Sequence, residues 1–268
     1  MKLSNLREST INKSSAASIP AVRQYERGTL TISISKLDSL QGCPQMIKEG
    51  SFDCSYNRIT SLIGGPTRVD FSYVCAHNEL TDLSGCATSI GASVACNNNR
   101  LTSLHGIPRE IFGFFDCYNN PDLKTLEGGP KMVAATCNVR NTGITSLDGG
   151  PRTVGASFIC SHTPITSIEH FPEHVGGDML FDNTKLTDLH DVHLIMKHVN
   201  GHLNISGTNI RSHVLGLILV KGLTGVTFSK HLAEVSEIIN KYLGLGRVGV
   251  LKAQRELLDA GYEEFAKL

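Results

Sequence analysis

The chain of 268 residues contains no tryptophan, and aromatic residues make up only 6% of it. Large rings are therefore scarce, and small and aliphatic side chains must do most of the packing. No apolar run approaches the roughly 20 residues that a membrane-spanning helix needs. An excess of charge is lacking too. Basic and acidic residues number 25 each and the isoelectric point is near 7.2. That balance argues against binding driven by nucleic-acid phosphates or by an anionic membrane surface. No two cysteines form a C-x-x-C pair, which leaves little support for a zinc site. Nucleophile elbow, phosphate loop and H-E-x-x-H motifs are all missing. The sequence thus points to no catalytic residue and no cofactor. The opening stretch MKLSNLRESTINKSSAAS lacks the apolar segment of an export signal, which, with eight cysteines, favours the reducing cytoplasm.

What is present is a repeat. Cys54, Cys75, Cys96, Cys117, Cys137 and Cys160 follow one another at gaps of 21, 21, 21, 20 and 23 residues. The same row continues with Ile32 before it and with Phe181 and Ile205 after it. Cysteine is one occupant of a position that elsewhere holds Ile or Phe, so these cysteines read as small buried apolar filler rather than ligands, nucleophiles or disulfide partners. Two residues upstream runs a second apolar row: Leu30, Phe52, Tyr73, Val94, Phe115, Ala135, Phe158, Met179 and Leu203. Leucine or isoleucine recurs about five and eight residues downstream, followed by Gly and by Pro44, Pro66, Pro108, Pro130, Pro151 and Pro172. Asn57, Asn78, Asn99 and Asn120 form a polar row that Thr163, Thr184 and Thr208 continue. Cys43 and Cys86 share a register in the return turn and read as packing residues.

The alternation F-x-C sends two side chains to one face of a short strand. One unit cannot bury that face, but stacked units bury it as a continuous core. Pro after Gly prevents a regular helix on the return path. The unit F-x-C-x-x-N-x-L-x-x-L resembles the leucine-rich repeat pattern. The expected fold is a leucine-rich-repeat-like solenoid: a curved parallel sheet of nine to ten short strands, a mostly extended convex side and a helical C-terminal cap.

Three parts are expected. Residues 1–28 form an arm or cap, 29–210 the solenoid, and 211–268 a final strand with the helical cap. The apolar stretch Val214 to Val220 breaks the repeat as a buried strand or helical turn, and Leu223 to Phe228 supplies the tenth strand. Ser229 is expected to cap a helix reaching about Tyr242, with Leu232, Val235, Ile238, Ile239 and Leu243 inward. A second helix, Val248 to Ala260, is expected to point Val250, Leu251, Leu257 and Leu258 inward.

The unit N-x-L-T-S-L-x-G-x-P-x-x-V, with the tail G-L-I-L-V-K-G-L-T-G-V-T-F and I-I-N-K-Y-L-G-L-G-R-V-G-V-L-K-A-Q-R-E-L-L-D-A-G, resembles repeat proteins encoded by many tailed bacteriophages. The resemblance covers nearly all of the chain after residue 28. It implies a solenoid made in an infected bacterial cytoplasm. It implies no particular chemistry.

Function is expected on the concave face, whose outward positions are not needed for the core. Three columns of side chains fall there. The first includes Asp53, Val74, Asp116, Ile159 and Leu180; the second Tyr118 and Asp182; the third Tyr56, His77 and His162. Lys and Arg are expected to be absent from all three. Aromatic and aliphatic groups among carboxylates suit a protein partner, from host or phage, with some basic character. Asp53 and Asp116 fall three rungs apart, roughly 14 Å, too far to share acid–base work on one bond. Two other readings remain. One is a metal-dependent module or enzyme using the region His170 to His213, which holds seven of eleven histidines and the metal-compatible spacings His190-x-x-His193 and His198-x-x-x-His202, although loop and surface positions are the expectation there. Tyr56 and Tyr118 could also stack on sugars in a virion or glycan-binding protein.

Overall fold

The computed structural model describes residues 28–268, so the expected N-terminal arm falls outside the described residues save for Gly28. The rest is a parallel solenoid. Its long sheet has ten strands: Leu30–Thr31, Phe52–Asp53, Tyr73–Val74, Val94–Ala95, Phe115–Asp116, Cys137–Asn138, Phe158–Ile159, Met179–Leu180, His202–Asn204 and Gly225–Thr227. We number these rungs 1 to 10. Each pairs in parallel with its sequence neighbours, with Phe52 opposite Leu30 and Tyr73, for example. The tenth strand forms where the sequence placed it.

The second side of the solenoid is extended, as the Gly-x-Pro spacing predicts, and forms two further parallel ladders. One joins Met46–Ile47, Arg68–Val69 and Ser89–Ile90; the other runs from Glu110–Ile111 to His198–Val199 in five strands. Each strand buries one β-branched residue, such as Val69 or Val154, both 1% exposed.

The register corrects one unit of the repeat. Cys137 pairs with Phe115 and Phe158, so it belongs to the upstream row that Ala135 was expected to fill. Val139 takes the cysteine position and is fully buried. The physical reason is volume: Cys137 and Val139 fill two inward sites that Ala135 and Cys137 would leave underpacked. The polar row confirms the shift, because Thr142 bridges Asn120.

That polar row holds the turn leaving each strand. Asn78 Nδ2 donates to the carbonyl of Cys54 one rung back (3.0 Å) and to Cys75 in its own rung (3.1 Å), while its Oδ1 accepts from the Ile59 amide (3.1 Å). Asn57, Asn99 and Asn120 repeat the pattern. Thr142, Thr163 and Thr208 donate only within their own rung, to Val139, Cys160 and Ile205. Cross-rung amide bonds therefore tie the first half together more tightly than the second.

All eight cysteines are free and buried. Burial pushes the thiols of Cys43, Cys86 and Cys160 up to about 12, and those of Cys54, Cys75 and Cys137 well above the ordinary value; Cys96 is raised well above it first by its hydrogen bond with Cys117 and then by burial. They behave as core filler.

On the return path a left-handed turn recurs in every unit. Glycine fills it at Gly42, Gly64, Gly85, Gly106, Gly128 and Gly149. At Gly85 (φ +86°) a Cβ would lie 2.5 Å from the Ile63 nitrogen, so glycine is required there. In the later units His170 (φ +62°) and Asp191 (φ +58°) occupy the same turn, and in the next unit the positive φ falls two positions earlier, at His213, opposite Leu189.

The C-terminal end is covered by helices. Val192–Ile195 (α1) is a single turn on the return side; Ala233–Tyr242 (α2) and Gly246–Asp259 (α3) follow rung 10. The apolar break forms a buried 3-10 turn, Leu215–Leu219, against which α3 packs. Ser229 does not cap: its hydroxyl donates to the Thr208 carbonyl (2.7 Å), which the last rung would otherwise leave unpaired, and a 3-10 turn, Lys230–Leu232, precedes α2. The inward face of α2 is as expected. That of α3 is not. Gly249, Ala253 and Leu257 point inward, while Leu251 (66%) and Leu258 (48%) are exposed. Close approach of α3 to Ile218 allows only small residues at the contact, which rotates the larger ones outward.

Candidate functional site

The long sheet displays the expected residues on its outer face, in register. The first column runs Thr31, Asp53, Val74, Ala95, Asp116, Asn138, Ile159, Leu180, Asn204 and Thr227. The one-unit shift moves Asn138 into this column, and by the same offset Arg140 joins the second and Asn141 the third. The expectation that no cation lies on this face is therefore wrong. Cys137-x-Val139 alternates as well as Ala135-x-Cys137 does, and only the 22-residue step from Asn120 to Thr142 distinguishes them in sequence.

The expected residues gather in three clusters rather than one. Across rungs 2 and 3, Asp53 and Val74 are neighbours in register. Asp53 Oδ1 accepts from the Ser55 amide (2.9 Å) and hydroxyl (2.6 Å). Tyr56 stacks on His77, ring centroids 4.1 Å apart and planes 10° from parallel. Across rungs 5 and 6, Asp116, Tyr118, Asn138 and Arg140 come together, with the Arg140 guanidinium 5.1 Å from the Tyr118 ring centroid. Burial raises the Asp116 pKa, against a hydrogen bond from Asn138 and the Arg140 charge. Across rungs 7 and 8, Ile159 and Leu180 are paired. Asp182 accepts from the Ser161 hydroxyl (2.5 Å) and from Asn183 (3.0 Å), with His162 Nε2 at 3.8 Å.

The third column carries the most unusual backbone. Ile34, Tyr56, His77, Asn98, Asn119, Asn141, His162, Asn183 and Gly207 all adopt positive φ, between +52° and +69°. Glycine and asparagine tolerate this region; other residues there cost roughly 1–2 kcal/mol. Asn98, Asn119 and Asn141 also link side chain to side chain, at 2.9 and 3.0 Å, in an outward amide ladder. The ladder leads toward the Tyr56–His77 stack at one end and toward His162 at the other.

The histidine-rich units assemble differently from their sequence spacing. His190 meets His213 across a rung, ring centroids 4.8 Å apart, and His213 Nδ1 lies 2.8 Å from Asp188. Burial opposes ionisation of Asp188, but hydrogen bonds from Ser212, His213 and the His190 amide hold its carboxyl below the ordinary range. His174 pairs in register with His198, and His198 and His202 bond to Asn200 and Thr227 (2.7 Å each). Among the described residues, no three His, Cys, Asp or Glu side chains converge as a metal site. No described helix is long and apolar enough to cross a membrane.

No family model matches the chain, and no curated protein matches it.

Proposed function

We propose that the protein is a non-catalytic binding protein, phage-encoded and acting in the host bacterial cytoplasm, that engages a host or phage protein through its long sheet. One observation carries this reading. Tyr56, His77 and His162 hold left-handed backbone, as Ile34 does, in a column that Asn98, Asn119, Asn141, Asn183 and Gly207 fill in the other rungs. Bulky rings at these sites cost folding energy, and strain of this kind collects at functional sites. The rings are available to a partner: Tyr56 is 56% exposed and stacked flat on His77. A rigid aromatic platform beside Asp53 and Val74 matches the composition of protein-interface anchors.

The test uses variants that relieve strain. Tyr56→Gly with His77→Gly removes both rings and leaves the backbone in a conformation glycine prefers. Tagged wild type and double variant are used to capture partners from infected and uninfected lysate, and any stoichiometric partner is then titrated as a purified protein. Loss of binding by a variant that melts at or above the wild-type temperature supports the reading. Equal binding by wild type and variant moves the interface off the Tyr56–His77 platform.

A further inference from the structure

The return side of the solenoid carries a second arrangement that core packing does not account for. One outward column there is linked rung to rung by backbone hydrogen bonds. Lys131 donates to the Arg109 carbonyl (2.7 Å), Arg152 to Lys131 (3.0 Å), Glu173 to Arg152 (2.9 Å) and Lys197 to Glu173 (3.0 Å). Four of these five positions are basic. In the first ladder the same column holds Gln45, Thr67 and Thr88. The break between the two ladders thus separates a neutral stretch from a basic one.

Stacked like charges oppose the fold. Neighbouring rungs lie about 4.8 Å apart, and like charges in register on adjacent strands destabilise a sheet. Glu173 pairs with Lys197, and that hydrogen bond, helped by the nearby charge of Arg152, holds its carboxyl below the ordinary range. Among the described ion pairs none involves Arg109, Lys131 or Arg152. Lys131 Nζ instead donates to the Gly149 carbonyl (2.7 Å).

Beside this column lies a cavity of about 340 Å³ whose lining includes the cations of Lys131, Arg152 and Lys197, the carboxylates of Asp148 and Glu173, and the apolar Phe171, Leu194 and Ile195. Its apolar lip exists because α1 adds a helical turn here, the only α-helical turn on the return side among the described residues. That turn leaves Leu194 61% exposed at the cavity mouth. A concave site with an apolar wall and convergent polar groups is the usual form of a small-molecule pocket. Unpaired Lys and Arg supply charge-assisted hydrogen bonds for carboxylate or phosphate oxygens.

We propose that this cavity binds a small organic anion, a carboxylate or phosphate ester with a compact apolar body. Its anionic group lies between Lys131 and Arg152, and its apolar part rests on Leu194 and Phe171. The site is independent of the long sheet and of any partner bound there.

The test is calorimetric titration of the full chain with phenyl phosphate and benzoate, with inorganic phosphate, benzamidine and an oligothymidylate as comparisons. Phenyl phosphate or benzoate should bind saturably with one-to-one stoichiometry, and their ratio identifies the preferred anionic group. Lys131→Ala with Arg152→Ala should weaken that binding about tenfold or more. Both side chains are exposed, so the double variant should fold; in buffer without polyvalent anions it should melt at or above wild type, because mutual repulsion is removed. Leu194→Ala should weaken phenyl phosphate but not inorganic phosphate. The proposal is overturned if no organic anion binds saturably or if the double variant binds as well as wild type. It is equally overturned if inorganic phosphate matches phenyl phosphate, if benzamidine competes, or if the oligonucleotide binds more tightly through Arg109.

Discussion

The Arg140 guanidinium lies over the ring of Tyr118 from the neighbouring rung, 5.1 Å from its centroid. Both residues stand in the second outward column, and the first column beside them holds Asp116 and Asn138. This one cation among carboxylates sets the electrostatics of the sheet centre. Burial raises Asp116, and Arg140 partly offsets the rise.

Asp116 should therefore titrate above its ordinary value of 3.8. A raised carboxyl pKa adds stability below the unfolded value, and that stability is lost as pH rises through the folded pKa. Asp116→Asn should raise the melting temperature at pH 7 and have little effect at pH 3. Arg140→Ala should move the Asp116 titration further up. Carboxyl carbon chemical shifts followed against pH read both effects; an Asp116 midpoint at or below 3.8 contradicts the account.

The cysteine ladder should be chemically silent in the folded chain. Thiolate is the reactive form, and burial suppresses it. At pH 8 an aromatic disulfide reagent should label none of the ladder thiols quickly, and all eight cysteines should react in denaturant. Cys43, 8% exposed, should be the first to react in native protein. Rapid native labelling of Cys96 or Cys117 would show that the rungs open locally.

Tyr73 is fully buried in the inward row, edge-on to Phe52 at 5.1 Å, and its hydroxyl has no hydrogen-bond partner. Its oxygen would sit 3.2 Å from a Cβ at Gly65, so the ring tip uses space that Cys43 and Cys86 fill in adjacent units. Tyr73→Phe removes an unsatisfied polar group and should stabilise the chain by about 1 kcal/mol in denaturant unfolding. A loss of stability would mean that the hydroxyl finds a partner in solution.

Asn99 makes bonds to two rungs: Nδ2 to Cys75 (3.1 Å) and Cys96 (3.0 Å), and Oδ1 from the Leu80 amide (3.0 Å). Asn99→Leu orphans these buried backbone groups and should cost about 3 kcal/mol. Asn99→Thr should cost clearly less, because threonine satisfies the in-rung carbonyl, as Thr163 does for Cys160 at 2.8 Å. Equal losses in chemical denaturation would mean that the cross-rung bonds carry the whole effect.

Much of the molecule is legible in its sequence because a parallel solenoid repeats its contacts at a fixed interval. Each inward position recurs every 20 to 24 residues, so burial appears as periodicity. The strands, the buried cysteines, the asparagine row and the extended return side all follow from that, while the covering helices follow from apolar residues at helical spacing after the last rung. The repeat period also places Asp53, Tyr56, Val74, His77, Asp116, Tyr118, Ile159, His162, Leu180 and Asp182 on one sheet.

Tertiary packing decided what the period leaves degenerate. Two alternations two residues apart suit the unit around Cys137, and only stacking against Phe115 and Phe158 selects one, which brings Arg140 to the face. The helical period allows two inward faces for α3, and contact with Ile218 selects the one lined by Gly249, Ala253 and Leu257. Which histidines meet is likewise set across rungs, where His190 finds His213 rather than His193. Spacing along the chain is local and fixes which side chains are buried; neighbours from other rungs are brought together only by stacking, and they determine which outward groups touch.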